Sequence, residues 1–391
     1  MHCKTMFFPA ALFFILCFCV LSCGSPEGKW KGTIEEQDGV TVVKNPQEGL
    51  WDTEGKHEIS IEEKLRIGQL DGPEEFLFSY ISDIAVNSRG DIYVADRQLA
   101  EVRKFNQDGE HLLTIGRRGQ GPGEFQIVNI ISVDPQDHLI AYDSMMGRVS
   151  IFSDNGELIQ TIKRLISGSS VIYPFKIIAR DDGYVLFGRI GDGLQMFHEF
   201  DSEWYYKESY LEYEFIDNRE FEKQHLHFSL GNCFFKENGE ILYTKDYYDN
   251  KIFIYKDKEL EKLITRESDI KKPYKVQMFH DFNKAKKARE KNDYNFTSYG
   301  RGTHFVGNSF LTSSGIFQLS DGNIVNFVNP YISKRLWGFD VELYDQEGKF
   351  LSHSRLGKNL FYNIQFKDSN DLFYAIHRHE YHKVIVFRLK Y

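Results

Sequence analysis

The sequence predicts an all-β fold, a six-bladed β-propeller closed by an amino-terminal strand in its last blade. Three observations carry this expectation. The first is a repeated block. Ile81 to Phe125 reads ISDIAVNSRGDIYVADRQLAEVRKFNQDGEHLLTIGRRGQGPGEF, and Ile130 to Ile162 reads IISVDPQDHLIAYDSMMGRVSIFSDNGELIQTI. Both spell an apolar strand, a polar turn, an apolar strand ending in Asp, a loop, an apolar strand, an Asn/Asp-Gly-Glu turn and a last apolar strand. Four short strands in a repeat of roughly 40–50 residues make one propeller blade. The second is turn chemistry. Asx-Gly pairs recur at Asp108-Gly109, Asn155-Gly156, Asp182-Gly183, Asn238-Gly239 and Asp321-Gly322, and such pairs supply the positive φ that tight hairpins need. The third is a match between the chain's start and a blade's end. His57–Gln69 (HEISIEEKLRIGQ) followed by Leu70–Phe76 (LDGPEEF) is similar to His111–Phe125 (HLLTIGRRGQGPGEF). A fourth strand thus precedes the first full blade. Its place is the outside of the last blade, because closing the ring this way removes an exposed sheet edge.

The blades follow in order. The first covers about 81–118, the second 129–165, the third 173–213, the fourth 227–267 and the fifth 310–356. The sixth, about 361–391, has three strands of its own, and residues 58–67 supply the fourth. Residues 268–305 interrupt the period. Within them Val276–Lys291 (VQMFHDFNKAKKAREK) has helical propensity and a basic carboxyl half, so a short helical insertion is expected there. Its cations suit anionic lipid or polymer, although a solvated helix face is the plainer reading. A smaller acidic insertion, Tyr213–Gln224, precedes blade four.

Composition fits a large all-β protein. Of 391 residues 15% are aromatic, and Phe and Tyr fill half-buried pleated surfaces. A net charge of −9 argues against nucleic acid, which needs a basic face.

The amino terminus lies outside the propeller. Lys4 gives a positive start, Phe7–Val20 is apolar, and Leu21-Ser22-Cys23-Gly24 follows. The apolar run is too short to span a bilayer. It resembles a bacterial lipoprotein signal, residues 1–22, which implies lipid on Cys23 and a membrane partner. Residues 23–56 read as a polar tether and 57–391 as the propeller. Cys3, Cys17 and Cys19 leave with the leader. Only Cys233 then remains besides Cys23, so no intramolecular disulfide is expected, and its setting in Asn232-Cys-Phe-Phe is that of a packed core residue.

Ile81–Asp96 resembles an NHL-type repeat, with its Asp-Ile-Ala-Val start, its Gly-Asp-Ile-Tyr-Val strand and its closing Asp. GQGPGEF, at 119–125, resembles the linker between blades of such propellers. With the lipobox, the chain is similar over about 57–391 to the 6-bladed β-propeller lipoproteins of Bacteroidota. That resemblance implies an extracytoplasmic protein of a Gram-negative envelope. Gly24, where inner-membrane retention uses Asp, implies the outer membrane.

Candidate chemistry sits on the loops joining second to third strands, which emerge with the inter-blade linkers around the channel. Arg97, Arg148, Tyr247, Tyr248, Tyr331, Arg335, Trp337 and Arg378 form an Arg/aromatic set suited to sugar rings, carboxylates or a protein partner. Packing and hydrogen bonding between blades is the competing role for each. His377, His379 and His382 with Glu380 make the best metal-like cluster. Six-bladed peptidyl-amidating lyases draw zinc ligands from several blades, and the remaining histidines show no matching spacing. Asp83, Asp96, Asp143 and Asp246 suggest calcium only if they converge, and strand-end capping is preferred. There is no Ser/His/Asp elbow and no phosphate-binding Gly loop. The expectation is a binding or scaffolding module for a glycan, peptide or envelope protein, with no cofactor or metal. The alternative is a metal-assisted hydrolase or lyase acting at the central channel.

Overall fold

The computed structural model describes residues 30–52, 58–163, 172–226, 229–269, 273–292, 296–299, 302–333, 336–358 and 362–391. Six antiparallel units of four strands surround a central channel. Blade 1 is Ile81–Val86, Ile92–Asp96, Glu101–Phe105 and His111–Ile115, counted from the channel outward. Blade 6 is Tyr362–Lys367, Leu372–His377 and Lys383–Lys390, completed by Ser60–Ile67 from the amino-terminal side. The expected closure is therefore present.

Burial explains the strand patterns. The second strand of blade 1, Ile92–Asp96, is buried at every position, because both faces meet neighbouring blades. The outer strand His111–Ile115 alternates toward solvent. One apolar cluster fills each junction, at blades 1/2, 2/3, 3/4, 4/5, 5/6 and 6/1. At the closing junction Ile81, Val94 and Phe105 of blade 1 meet Tyr374, Val384 and Val386 of blade 6. Truncating a buried ring such as Phe105 to Ala costs about 3–5 kcal/mol.

The repeated Asp has one job in both regular blades. Asp96 accepts hydrogen bonds from the backbone amides of Ser79, Tyr80, Gln98 and Leu99. Asp143 accepts them from Gln126, Ile127, Met145 and Met146. Each carboxylate ties the second strand to the incoming linker and the outgoing loop. The two residues are caps, not a cation cluster. The linker is held as well: Arg148 donates to the carbonyls of Gln120, Gly121 and Glu124, and Phe125 is fully buried.

Two expectations need correction. Residues 23–56, read as a polar tether, carry a hairpin, Thr33–Gln37 with Val40–Asn45. Val40–Asn45 pairs in parallel with the outer strand of blade 4, Glu259–Arg266, making that sheet six-stranded. Val42 and Val43 are both buried, on opposite faces of the strand, and Val43 joins the 4/5 core. Val43 and Asn45, two apart along the strand, share the face turned to that junction. The free strand Thr33–Gln37 is exposed throughout and charged at Glu35 and Glu36, which blunts a bare edge. Asn45 then locks the strap across two blades. It donates to the carbonyls of Thr265 and Gly348 and accepts from the amide of Phe350 and the indole of Trp30. Downstream, the amides of Leu50 and Trp51 donate to carbonyls of blade 5, and Trp51 stacks on Tyr391 at 5.7 Å.

The second correction is the insertion 268–305, expected as a helix. Its helix, Phe282–Asn292, is present, but it packs on a three-stranded sheet, Tyr274–Phe279, His304–Ser309 and Phe296–Tyr299. The acidic insertion holds a second helix, Arg219–His225. Its buried Glu222 accepts from the hydroxyls of Tyr213 and Tyr274 and from the amides of Ile216 and Asp217.

Candidate site at the mouth of the central channel

The inner strands leave a cavity of about 760 Å³ on the face bearing the loops between second and third strands. All six blades line it: Ser82 and Arg97, Asn129 and Ser144, Tyr173 and Lys176, Asn232 and Asp246, Ser313 and Asn329, Asn363 and Gln365. Most are uncharged hydrogen-bonding side chains near the start of an inner strand or the end of a second strand. Several bond to one another, which fixes their rotamers. Asn232 Nδ2 donates to Ser313 Oγ at 2.9 Å, and Thr244 Oγ1 lies 2.9 Å from the same oxygen. Ser82 Oγ donates to the carbonyl of Val128 at 3.0 Å. Asn329 is 1% exposed, and its Oδ1 has no partner among the described residues, a group that buried polar chemistry leaves idle only rarely.

Below this mouth the channel narrows to a waist. Asp83, Lys176, Cys233, Phe317 and Gln365 line both the upper cavity and a smaller one of about 210 Å³ beneath it. The lower cavity is apolar, with Ile84, Ile131, Ile177 and Phe234 among its walls. Burial pushes the Asp83 carboxyl up to about 7, although its oxygens accept the amides of Ile84 and Ile131 and Lys176 draws it down. Burial likewise pushes the Cys233 thiol up to about 12, so this residue is an inert part of the wall.

At the rim, Asp246 Oδ2 lies 2.6 Å from His225 Nε2, and Tyr247 Oη lies 3.3 Å from His225 Nδ1. The second strand of blade 4 has Lys245, not Asp, at its fifth position counted from Ile241. Asp246 therefore makes no cap like those of Asp96 and Asp143, and faces the cavity.

The proposed site residues separate. Arg97 lines the cavity and is exposed. Arg97 and Arg378 converge on the Tyr80 ring, at 5.9 and 5.1 Å, and Arg378 also donates to the carbonyl of Ile81 across the closing junction. Arg148 is buried, with its guanidinium hydrogen-bonded to the linker. Tyr247 packs with Phe221, Tyr274 and Phe305 beneath the insertion. Tyr248 is fully buried and donates to Glu342. These two rings hold blade 4 to its neighbours. Tyr331 and Trp337 are paired in the backbone register of blade 5, whereas Arg335 and Cys23 lie outside the described residues.

The histidine run does not gather. His377 is buried, and burial with Lys383 and His379 nearby drops its ring to about 4. His382 Nδ1 accepts the amide of Ile81. Among the described residues no three His, Cys, Asp or Glu side chains are placed to hold a metal ion.

Asn129, Lys176, Asn232, Asn329 and Gln365 were not singled out from the sequence. A signal existed for some of them: a polar residue sits near the start of five of the six inner strands, at Ser82, Asn129, Asn232, Ser313 and Asn363. The degenerate later blades hid it.

The family model for DUF5128, described as a 6-bladed beta-propeller, matches residues 59–303. The chain belongs to this family of 6-bladed propellers. The match begins at the closing strand and ends within the insertion, and the structure shows that the remainder builds blades 5 and 6. No curated protein matches the chain. Among solved structures, a DUF4221 family member from Bacteroides vulgatus is 12% identical, covers 85% of this chain and 99% of its own, and has a TM-score of 0.55. A putative exported protein from Bacteroides fragilis is 13% identical, covers 85% and 96%, and has a TM-score of 0.52. A gluconolactonase from Xanthomonas campestris is 10% identical, covers 80% and 87%, and has a TM-score of 0.46. At these identities the likeness concerns the fold alone.

Proposed function

We propose that this propeller is a binding module of the cell envelope, held to a membrane by lipid on Cys23, that takes a glycan, peptide or protein partner at the mouth of its channel. One observation carries the reading. A cavity of about 760 Å³ is walled by uncharged hydrogen-bonding side chains from all six blades, in a size range typical of ligand sites. Several of these groups are fixed by their neighbours, which lowers the entropy lost on binding. The leader and the Leu21-Ser22-Cys23-Gly24 run support the envelope placement.

Screening the mature protein against glycan and peptide arrays tests the binding role. The expected result is a hit that Asn329→Leu, which fills the mouth with an apolar group, weakens at least tenfold. Stoichiometric metal in the purified protein, ligated at the channel, would replace this reading with the metal-assisted enzyme. The anchor is tested by labelling cells with an alkyne fatty acid. Label should enter the natural chain and be absent from Cys23→Ala.

A further inference from the structure

The charged groups of the channel mouth are unequally used. Two acids and two cations line the cavity. Both acids are engaged within the protein: Asp246 with His225 at 2.6 Å, and Asp83 with the amides of Ile84 and Ile131, each at 2.9 Å. Neither cation is in an ion pair among the described residues. Arg97 is exposed at the rim of blade 1, and Lys176 sits at the waist on blade 3. Lys176 lines both the mouth and the lower cavity, together with Asp83 of blade 1 and Cys233 of blade 4.

A positive group at the bottom of a cavity and another at its rim, with hydroxyls and amides between, is a pattern with a chemical reading. Uncharged Ser, Asn and Gln side chains match sugar hydroxyls, whereas an unpaired ammonium behind low-dielectric walls calls for an anion. Tyr142, Tyr173 and Phe175 add ring surface for the apolar face of a sugar. We propose that the channel mouth selects a carboxylated sugar, with the Lys176 ammonium at the waist holding the carboxylate and Arg97 guiding it from the rim. This rests on the reading of the mouth as a ligand site.

The carboxylate would lie close to Asp83. That carboxyl faces Lys176 of blade 3 and Cys233 of blade 4, with the amide of Ile131 of blade 2, Phe317 of blade 5 and Gln365 of blade 6 completing its surroundings. Below about pH 7 Asp83 takes up a proton, the waist becomes more positive, and an anion is held more tightly.

Calorimetric titration of the mature protein with galacturonate oligosaccharides and with galactose oligosaccharides of equal length tests this. The acidic series should bind at least tenfold more tightly, and more tightly at pH 6 than at pH 8. Lys176→Gln should erase that preference while leaving neutral binding in place. Arg97→Ala, at an exposed position that does not threaten folding, should weaken the acidic series and flatten its salt dependence. Equal binding of both series, or acidic binding indifferent to Lys176→Gln in a folded variant, overturns the proposal but leaves the mouth as a neutral-glycan site. Lys176-dependent capture of peptide carboxylates without sugar acids overturns the sugar assignment. Absence of any glycan or peptide binding at the mouth overturns both this proposal and the binding-module reading.

Discussion

Blades 1 and 2 and blades 4 and 5 solve the same packing problem by different means. In the first pair each second strand ends in an Asp that gathers four backbone amides, and each joint is closed by local sequence. In the second pair that cap is missing, with Lys245 in its place in blade 4. The joint is held from far away instead. Asn45 of the strap bonds both blades, and Arg266 of blade 4 meets the fully buried Glu342 of blade 5 at 2.6 Å. Local closure uses the strand-end Asp as a cap, whereas in blade 4 the nearby acid, Asp246, caps no loop but pairs with His225 and lines the channel.

The largest test of this contrast is the Arg266–Glu342 pair. Burial pushes the Glu342 carboxyl up, but Arg266, Asn326 and Tyr248 outweigh it and hold it below the usual range. Arg266→Ala strands a buried charge and should cost about 3–5 kcal/mol in denaturant unfolding. Adding Glu342→Gln should recover part of the loss. If the single variant is as stable as the natural chain, the 4/5 joint does not depend on this pair.

Next comes Asp83, the acid of blade 1 that caps no loop. Its folded carboxyl titrates near 7, above the unfolded value of about 4. Between those values the folded state holds more protons than the unfolded chain, so this group makes stability fall as pH rises from about 4 to about 7 and is level above. His377 acts in the opposite sense: with its ring held down to about 4, its contribution is lost as pH falls from about 6.5 to about 4. Asp83→Asn should remove the falling component and leave the rising one, a change of a few kcal/mol across the window by urea melts at stepped pH. An unchanged profile would mean that Asp83 titrates normally.

Smaller effects compare a local cap with the strap. Asp143→Ala leaves four amides seeking partners and should cost about 2–3 kcal/mol. Asn45→Ala should cost about 1–2 kcal/mol, since the strap's strand pairing survives. Thermal melts rank the two. The reverse order would show that the strap, not the repeated cap, dominates ring closure.

The residues themselves explain why some of this was legible in advance. Asx-Gly turns act over two residues, and Gly109 and Gly156, at φ 84 and 85°, announce hairpins wherever they fall. The Asp of IYVAD and LIAYD caps groups within about twenty positions of chain, so the repeat exposes it. The strap was misread because four of the six residues in Val40–Asn45 are apolar or β-branched without forming a long run, and its partner strand lies more than two hundred residues away. The sheet of the insertion escaped notice beside the stronger helical signal of Phe282–Asn292. The burial of Arg148 and Tyr248 was not legible, because a sequence shows the type of a side chain and not the direction in which its strand turns it.

Sequence alone thus determined the number of blades, the closing strand and the caps, because each depends on periodicity or on contacts close along the chain. Tertiary structure decided which polar groups remain unspent at the channel. That balance comes from six inner strands meeting at one axis, where the partner that satisfies or strands a group, as Ser313 of blade 5 does for Asn232 of blade 4 and none does for Asn329 Oδ1 among the described residues, is set by the ring's closure and not by neighbours in the chain.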